Sequence, residues 1–123
     1  MALKDRIRFL TTPAEVDAFL QENPSSAIFK VGACHKTSET FRHVEEKLGP
    51  HEELPLGIIR VLEARRASNH VEQLTGITHE SPQFILFKDA KPVFDRDNWD
   101  ITAEDLEAAL QQHFSCVQPA QSG

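Results

Sequence analysis

The residues of this chain best suited to chemistry stand in one stretch, Ser26-Ala27-Ile28-Phe29-Lys30-Val31-Gly32-Ala33-Cys34-His35-Lys36-Thr37. A cysteine is a nucleophile as its thiolate, and whatever stabilises that anion lowers the thiol pKa. Cys34 falls where an apolar, β-branched run gives way after Gly32 to helical spacing, with Phe41, Val44 and Leu48 recurring among charges. It is thus expected on a strand-to-helix turn, beside the unpaired amides and positive dipole end of a helix. His35 and Lys36 add positive charge nearby. The competing reading is a small buried hydrophobe closing a strand. The polar run His35-Lys36-Thr37-Ser38 that follows Cys34 fits a reactive thiol better.

The same stretch raises two further questions. Lys30, Lys36 and Arg42 read as a locally positive surface suited to an anionic partner, with a merely solvated face as the alternative. His35, His43, His70 and His79, taken with Cys34, raise a metal centre. Adjacent Cys34-His35 is poor chelate spacing, and no C-x-x-C or H-x-x-x-H pair is present, so no metal is expected.

The elements that must hold Cys34 can be read in order. Thr12-Pro13-Ala14-Glu15 opens a helix, with Thr12 as N-cap, Pro13 in the first turn and Glu15 closing a capping box. Val16, Phe19 and Leu20 form its apolar face, and Asn23-Pro24 stops it. A strand over 27–31 follows, then the helix after Cys34, ending at Gly49-Pro50. Leu56 to Leu62 is a nearly continuous apolar run, as in a strand buried on both faces. A short helix over 67–74 has Val71 and Leu74 inward and Gly76 as its stop. A strand introduced by Pro82 turns at Asp89-Ala90 into an edge strand containing Pro92. Thr102 caps the last helix, with Asp105 three residues on and Ile101 stapled to Leu106. Leu106, Ala109, Leu110 and Phe114 face the core. Residues 117–123 read as a loose tail after a single domain over 1–116.

Nineteen acidic against thirteen basic side chains give a net charge of −6, which argues against a nucleic-acid or anionic-membrane surface. No stretch has signal-peptide or membrane-spanning character, and two widely separated cysteines are no disulfide scaffold. A reducing cytoplasm is the expected setting.

The element order, with two strands joined through a helix and a final hairpin, resembles the thioredoxin-like α/β fold. That implies a four-stranded mixed sheet flanked by helices, with a right-handed crossover between its first two strands. In such folds a cis-proline opens the third core strand against the active cysteine, and Ser81-Pro82 stands there. More specifically, Ala67-Ser68-Asn69-His70, Gly76-Ile77-Thr78-His79-Glu80-Ser81-Pro82-Gln83, the Lys88-to-Lys91 turn and Asn98-Trp99-Asp100-Ile101-Thr102 resemble the monothiol bacilliredoxin family, over roughly residues 8–112.

That resemblance implies a thiol–disulfide oxidoreductase resolving mixed disulfides between protein cysteines and bacillithiol, a small thiol carrying carboxylates. Cys34 is then the attacking thiol. His35, Lys36, Thr37, Ser81, Pro82 and Trp99 are the expected substrate-binding residues. No cofactor is bound, bacillithiol is co-substrate, and S-thiolated proteins are the partners.

The family usually has Thr-Cys-Pro before a small polar residue, where this chain has Ala33-Cys34-His35-Lys36. His35 restores a backbone N–H and adds a titratable group. Ala90 stands where a glycine is common, which points to a turn without positive φ. Trp99 is a groove wall or a cap on the core. Thr37 occupies the place of a second cysteine, so a second small thiol must release the partner. Cys116 falls about a dozen residues along the last helix, roughly 18 Å from its start, and reads as a spare cysteine. A non-catalytic, binding or redox-sensing protein of the same fold is the alternative.

Overall fold

The computed structural model describes residues 3–32 and 35–114. The surroundings of the Cys34 thiol, the remoteness of Cys116 and the loose tail lie outside the described residues. A 3-10 turn over Leu3–Arg6 leads into β1 (Ile7–Phe9), α1 (Pro13–Glu22), β2 (Ser26–Val31), α2 (His35–Leu48), β3 (Leu56–Arg60), α3 (Arg65–Thr75), β4 (Gln83–Lys88), β5 (Lys91–Asp97), a 3-10 turn over Asn98–Asp100, and α4 (Ala103–Phe114).

The strands form one mixed sheet in the order β1-β3-β2-β4-β5. β1, β3 and β2 are parallel, β4 is antiparallel to β2, and β5 to β4. The sheet therefore has five strands rather than four. The extra strand is three residues, Ile7-Arg8-Phe9, too short to display alternation and mostly exposed. Backbone pairing with the edge of β3, from Ile7 opposite Leu56 to Phe9 opposite Ile58, makes it a strand.

Alternation along β2 divides the core. Ala27 and Phe29 face one cluster with Val44 and Leu48 of α2 and Leu106 and Leu110 of α4. Ile28 faces the other, with Val16 and Phe19 of α1 and Val71 of α3. Phe41 stacks on Phe29 at 5.8 Å. Each fully buried side chain of this size contributes about 1.5–3 kcal/mol.

The ends of the elements follow local chemistry. Thr12 caps α1 by accepting the Glu15 amide at 3.1 Å. The Glu15 carboxylate reaches back one residue further than a capping box requires, accepting from the Thr11 amide and hydroxyl. Thr102 accepts the Asp105 amide at 3.2 Å, and Ile101 and Leu106 are buried together. α3 begins two residues before Ala67 and ends on Gly76 at φ 74°. Leu74 is not inward but 48% exposed, because the stripe Ala64, Ser68, Val71 continues through Thr75. β3 stops at Arg60, leaving Leu62 exposed in the following turn, and β4 starts only after Pro82.

The β4–β5 turn departs from expectation. Lys88 pairs with Lys91, so Asp89 and Ala90 are its two central residues, at φ 57° and 63°. A two-residue hairpin matching the twist of its strands demands positive φ at both positions, and that demand overrides the preference of alanine. The Ala90 amide is held by the Pro24 carbonyl at 2.9 Å. Ala90→Gly should raise unfolding stability by about 1 kcal/mol, since an L-residue pays roughly that much in the left-handed region. Denaturant melts of the two proteins measure it.

Candidate active site

Sheet direction brings the predicted residues to one pole. β2 ends at Val31 and α2 begins at His35, so only residues 33–34 separate Gly32 from the helix. β4 runs opposite to β2 and starts beside its end, with Lys30 opposite Gln83. The Ser81–Pro82 peptide is cis, as expected from the fold. A Cβ on Gly32 would lie 2.7 Å from the Ser81 hydroxyl and 3.8 Å from the Ser81 Cβ, so a side chain there would make that hydroxyl turn aside. The Ser81 hydroxyl is buried there without a hydrogen-bond partner among the described residues.

Thr37, in the position a second cysteine would take, accepts the Gly32 amide at 3.2 Å. Its hydroxyl thus ties the first turn of α2 to the end of β2, across residues 33–34. A second tie runs through Asn98. Its amide donates to the Pro82 carbonyl at 2.9 Å, and its side-chain oxygen accepts from Lys36 Nζ at 2.9 Å. Asn98 sits at φ 51°, a conformation asparagine tolerates better than most residues. One residue outside the expected set therefore joins α2, the cis-proline segment and the end of β5. The Asn98-Trp99-Asp100 string pointed to the region, but the tie depends on a fold contact 62 positions apart in sequence.

His35 is exposed, with its ring 5.9 Å from Trp99. Trp99 is 55% exposed, so it is not a cap on the core. β1, β3 and β5 all run parallel to β2, so Phe9, Leu62 and Trp99, at or just past their ends, share this pole. All three are exposed. A cavity of about 230 Å³ beside it is lined by Val31, Gly32, Arg60, Leu62 and Glu63.

The expected positive surface is not one surface. Arg42 lies two helical turns along α2 and pairs with Glu39 at 3.0 Å. Lys30 is fully buried, because it shares the β2 face of Ile28. Its Nζ lies 3.2 Å from His79 Nδ1, and the Ser68 hydroxyl lies 3.2 Å from the same nitrogen. The His79 amide donates to Glu72 at 3.2 Å, and Gln83 donates to the Thr78 carbonyl at 2.9 Å. Burial pushes the Lys30 ammonium down to about 8, against the favourable charge of Glu72. Burial, then the charge of Lys30, holds the His79 imidazole below its ordinary value, leaving it neutral near pH 7.

These observations define a thioredoxin-fold protein whose single cysteine at the central strand is followed three residues on by threonine. One solved protein with a thioredoxin fold superposes with a TM-score of 0.78 at 21% identity, covering 87% of this chain and 96% of its own. Thioredoxin O2 from Arabidopsis thaliana, in its oxidized state, gives 0.73 at 15% identity over 93% and 99%. Fasciola hepatica thioredoxin gives 0.71 at 18% identity over 86% and 98%. These likenesses fix the fold. The chain belongs to the monothiol bacilliredoxin family, whose model, Monothiol bacilliredoxin BrxC, matches residues 8–106. It is a thiol redox protein by that membership. No helix among the described residues is long and apolar enough to cross a membrane.

Two measurements test the electrostatics. The Lys30 pKa of about 8 lies below its unfolded value of 10.5, so the unfolded chain binds more protons between them. Stability should therefore rise with pH across that window, by on the order of 3 kcal/mol, and the penalty should be fully present below pH 8. Lys30→Met should lack the rise, as chemical denaturation at pH 7, 9 and 10.5 would record. At the surface, Lys36→Ala should raise the pH midpoint of Cys34 alkylation more than His35→Ala. Asn98 holds the Lys36 charge in place beside the first turn of α2, while the His35 ring lies toward Trp99.

Proposed function

We propose that the chain removes bacillithiol from protein mixed disulfides by a monothiol mechanism. The Cys34 thiolate attacks the bacillithiol sulfur of a protein–S–S–bacillithiol bond. The Cys34–bacillithiol disulfide forms, and the protein thiolate leaves and takes a proton from water. A second bacillithiol thiolate then attacks the bacillithiol sulfur of that disulfide. It releases the bacillithiol disulfide and regenerates the Cys34 thiolate, so the substrate's oxidation is passed to the small thiol pair. No bound cofactor enters this scheme, and the reducing cytoplasm is its natural compartment.

The observation that carries the reading is Thr37. The position from which a second thiol would displace the partner is a hydroxyl engaged with the Gly32 amide, which leaves the second exchange to a thiol from solution. Family membership supports bacillithiol as that thiol. Lys36 and Arg60 suit its carboxylates. Phe9, Leu62 and Trp99, exposed at one pole, suit a protein surface as the other partner. His35, Lys36, Thr37, Ser81, Pro82 and Trp99 are assigned to substrate binding on their place around this pole. A binding or redox-sensing role draws on Ala33 and His35, which replace the usual neighbours of the cysteine.

The test is intact-mass spectrometry after mixing the protein with a bacillithiolated target. Bacillithiol should move to Cys34 and then be released by added bacillithiol. Cys34→Ser should lose at least about 100-fold of this rate, because nothing else supplies the attacking sulfur. Cys116→Ser should stay within about twofold. An intramolecular Cys34–Cys116 disulfide, or no transfer to Cys34, would overturn the monothiol scheme.

A further inference from the structure

Arg60 stands at the end of β3 with its donors uncommitted. It pairs in register with Val31, and by alternation it shares the sheet face of Leu56 and Ile58, the face that α2 covers. Its guanidinium lies over the Phe9 ring, 4.5 Å from the centroid. Glu63 Oε1 lies 3.7 Å from Arg60 Nη1, too far to accept a hydrogen bond, and the Glu63 side chain is 72% exposed. Such a pair contributes little and is readily exchanged. Lys36, by contrast, already donates to Asn98 at 2.9 Å, Arg42 pairs with Glu39, and Lys30 is buried.

A guanidinium stacked on an aromatic ring keeps its edge donors free, and their planar fork matches a carboxylate. Arg60 lines the cavity of about 230 Å³ that Val31, Gly32, Leu62 and Glu63 complete. The backbone around it is pinned: the Val61 amide donates to the Val31 carbonyl at 3.0 Å, and the Glu63 and Ala64 amides donate to the Arg60 carbonyl. We propose that this cavity is the recognition subsite for the carboxylate-bearing end of the small thiol, with Arg60 as its specificity-determining residue. Arg60 holds one carboxylate through two parallel N–H···O bonds, and the carbon skeleton lies against Val31 and Leu62. Glu63 opposes the ligand's charge and competes for the same guanidinium. Gly32 precedes Cys34 by two positions, a span of at most about 7 Å between Cα atoms. That keeps the Cys34 backbone within a small molecule's length of this wall.

This inference rests on bacillithiol as the small thiol, and its test involves no exchange at sulfur. The probe is S-methyl bacillithiol, a thioether that carries the carboxylates and cannot enter a disulfide. It is titrated into the protein and followed by NMR at the Gly32 amide and the Val31 and Leu62 methyl groups, which should shift together and saturate. Arg60→Met should weaken binding at least about fivefold, because it removes one half of a charge-assisted pair. Esterifying the probe's carboxylates removes the other half, so the ester should bind wild type and Arg60→Met alike. Arg60→Lys should recover less than about half of the loss, since an ammonium keeps the charge without the fork. Glu63→Gln should tighten binding by about twofold.

Arg60 is exposed at the sheet's end, so these variants should keep the wild-type circular dichroism spectrum. A probe that moves none of the three signals, or that binds wild type and Arg60→Met equally, would sink the idea. If the thioether binds through Arg60 while a bacillithiolated target is not turned over, the exchange mechanism fails and this inference stands. If the target is turned over while the thioether ignores Arg60, the inference fails and the mechanism stands.

Discussion

β2 is hydrogen-bonded on both edges and covered on both faces, and the rest of the fold is arranged about it. Its partners β3 and β4 are fixed in register over five residues each. Phe29 and Ile28 anchor it to opposite layers of helices. A strand held on four sides has almost no freedom to slide, since a one-residue slip would exchange its two faces. The point at which it stops is therefore a fixed point of the molecule. Thr37 ties the first turn of α2 back to that point by accepting the Gly32 amide.

Around this point the ties come from parts of the chain that no local rule connects. Asn98 meets both Lys36 and Pro82, and the Ser81 hydroxyl lies close against Gly32. These contacts set the position of the cis-proline segment relative to the first turn of α2. The three exposed apolar side chains at the ends of β1, β3 and β5 follow from the same geometry, since parallel strands end together. A fold that brings strand ends to one side gathers there residues far apart in sequence.

Most of the fold was legible because its signals are local. Thr12 and Thr102 cap as their sequences promise, Gly76 ends α3, and the apolar runs of β2 and β3 have no other stable home. What escaped was decided by partners. β1 is a strand only because β3 has a free edge, and Ala90 takes positive φ because the hairpin leaves two residues for the turn. Leu74 faces outward because the stripe of α3 passes through Thr75. Lys30 was the largest miss, grouped with Lys36 and Arg42 by sequence proximity although the alternation of β2 puts it on the face of Ile28. Its period-2 position was the available signal, outweighed by the rarity of buried lysine.

The two lysines flanking the site in sequence act in different dielectric settings. Lys36 is half-buried at the surface, and counterions compete for its field within a Debye length of about 8 Å at physiological salt. Lys30 is fully buried, so its charge is screened much less. The surface charge keeps most of its hydration, whereas the interior charge gives its hydration up on folding and recovers only a contact with His79. The buried lysine is therefore held at the expense of stability, and the surface lysine is not.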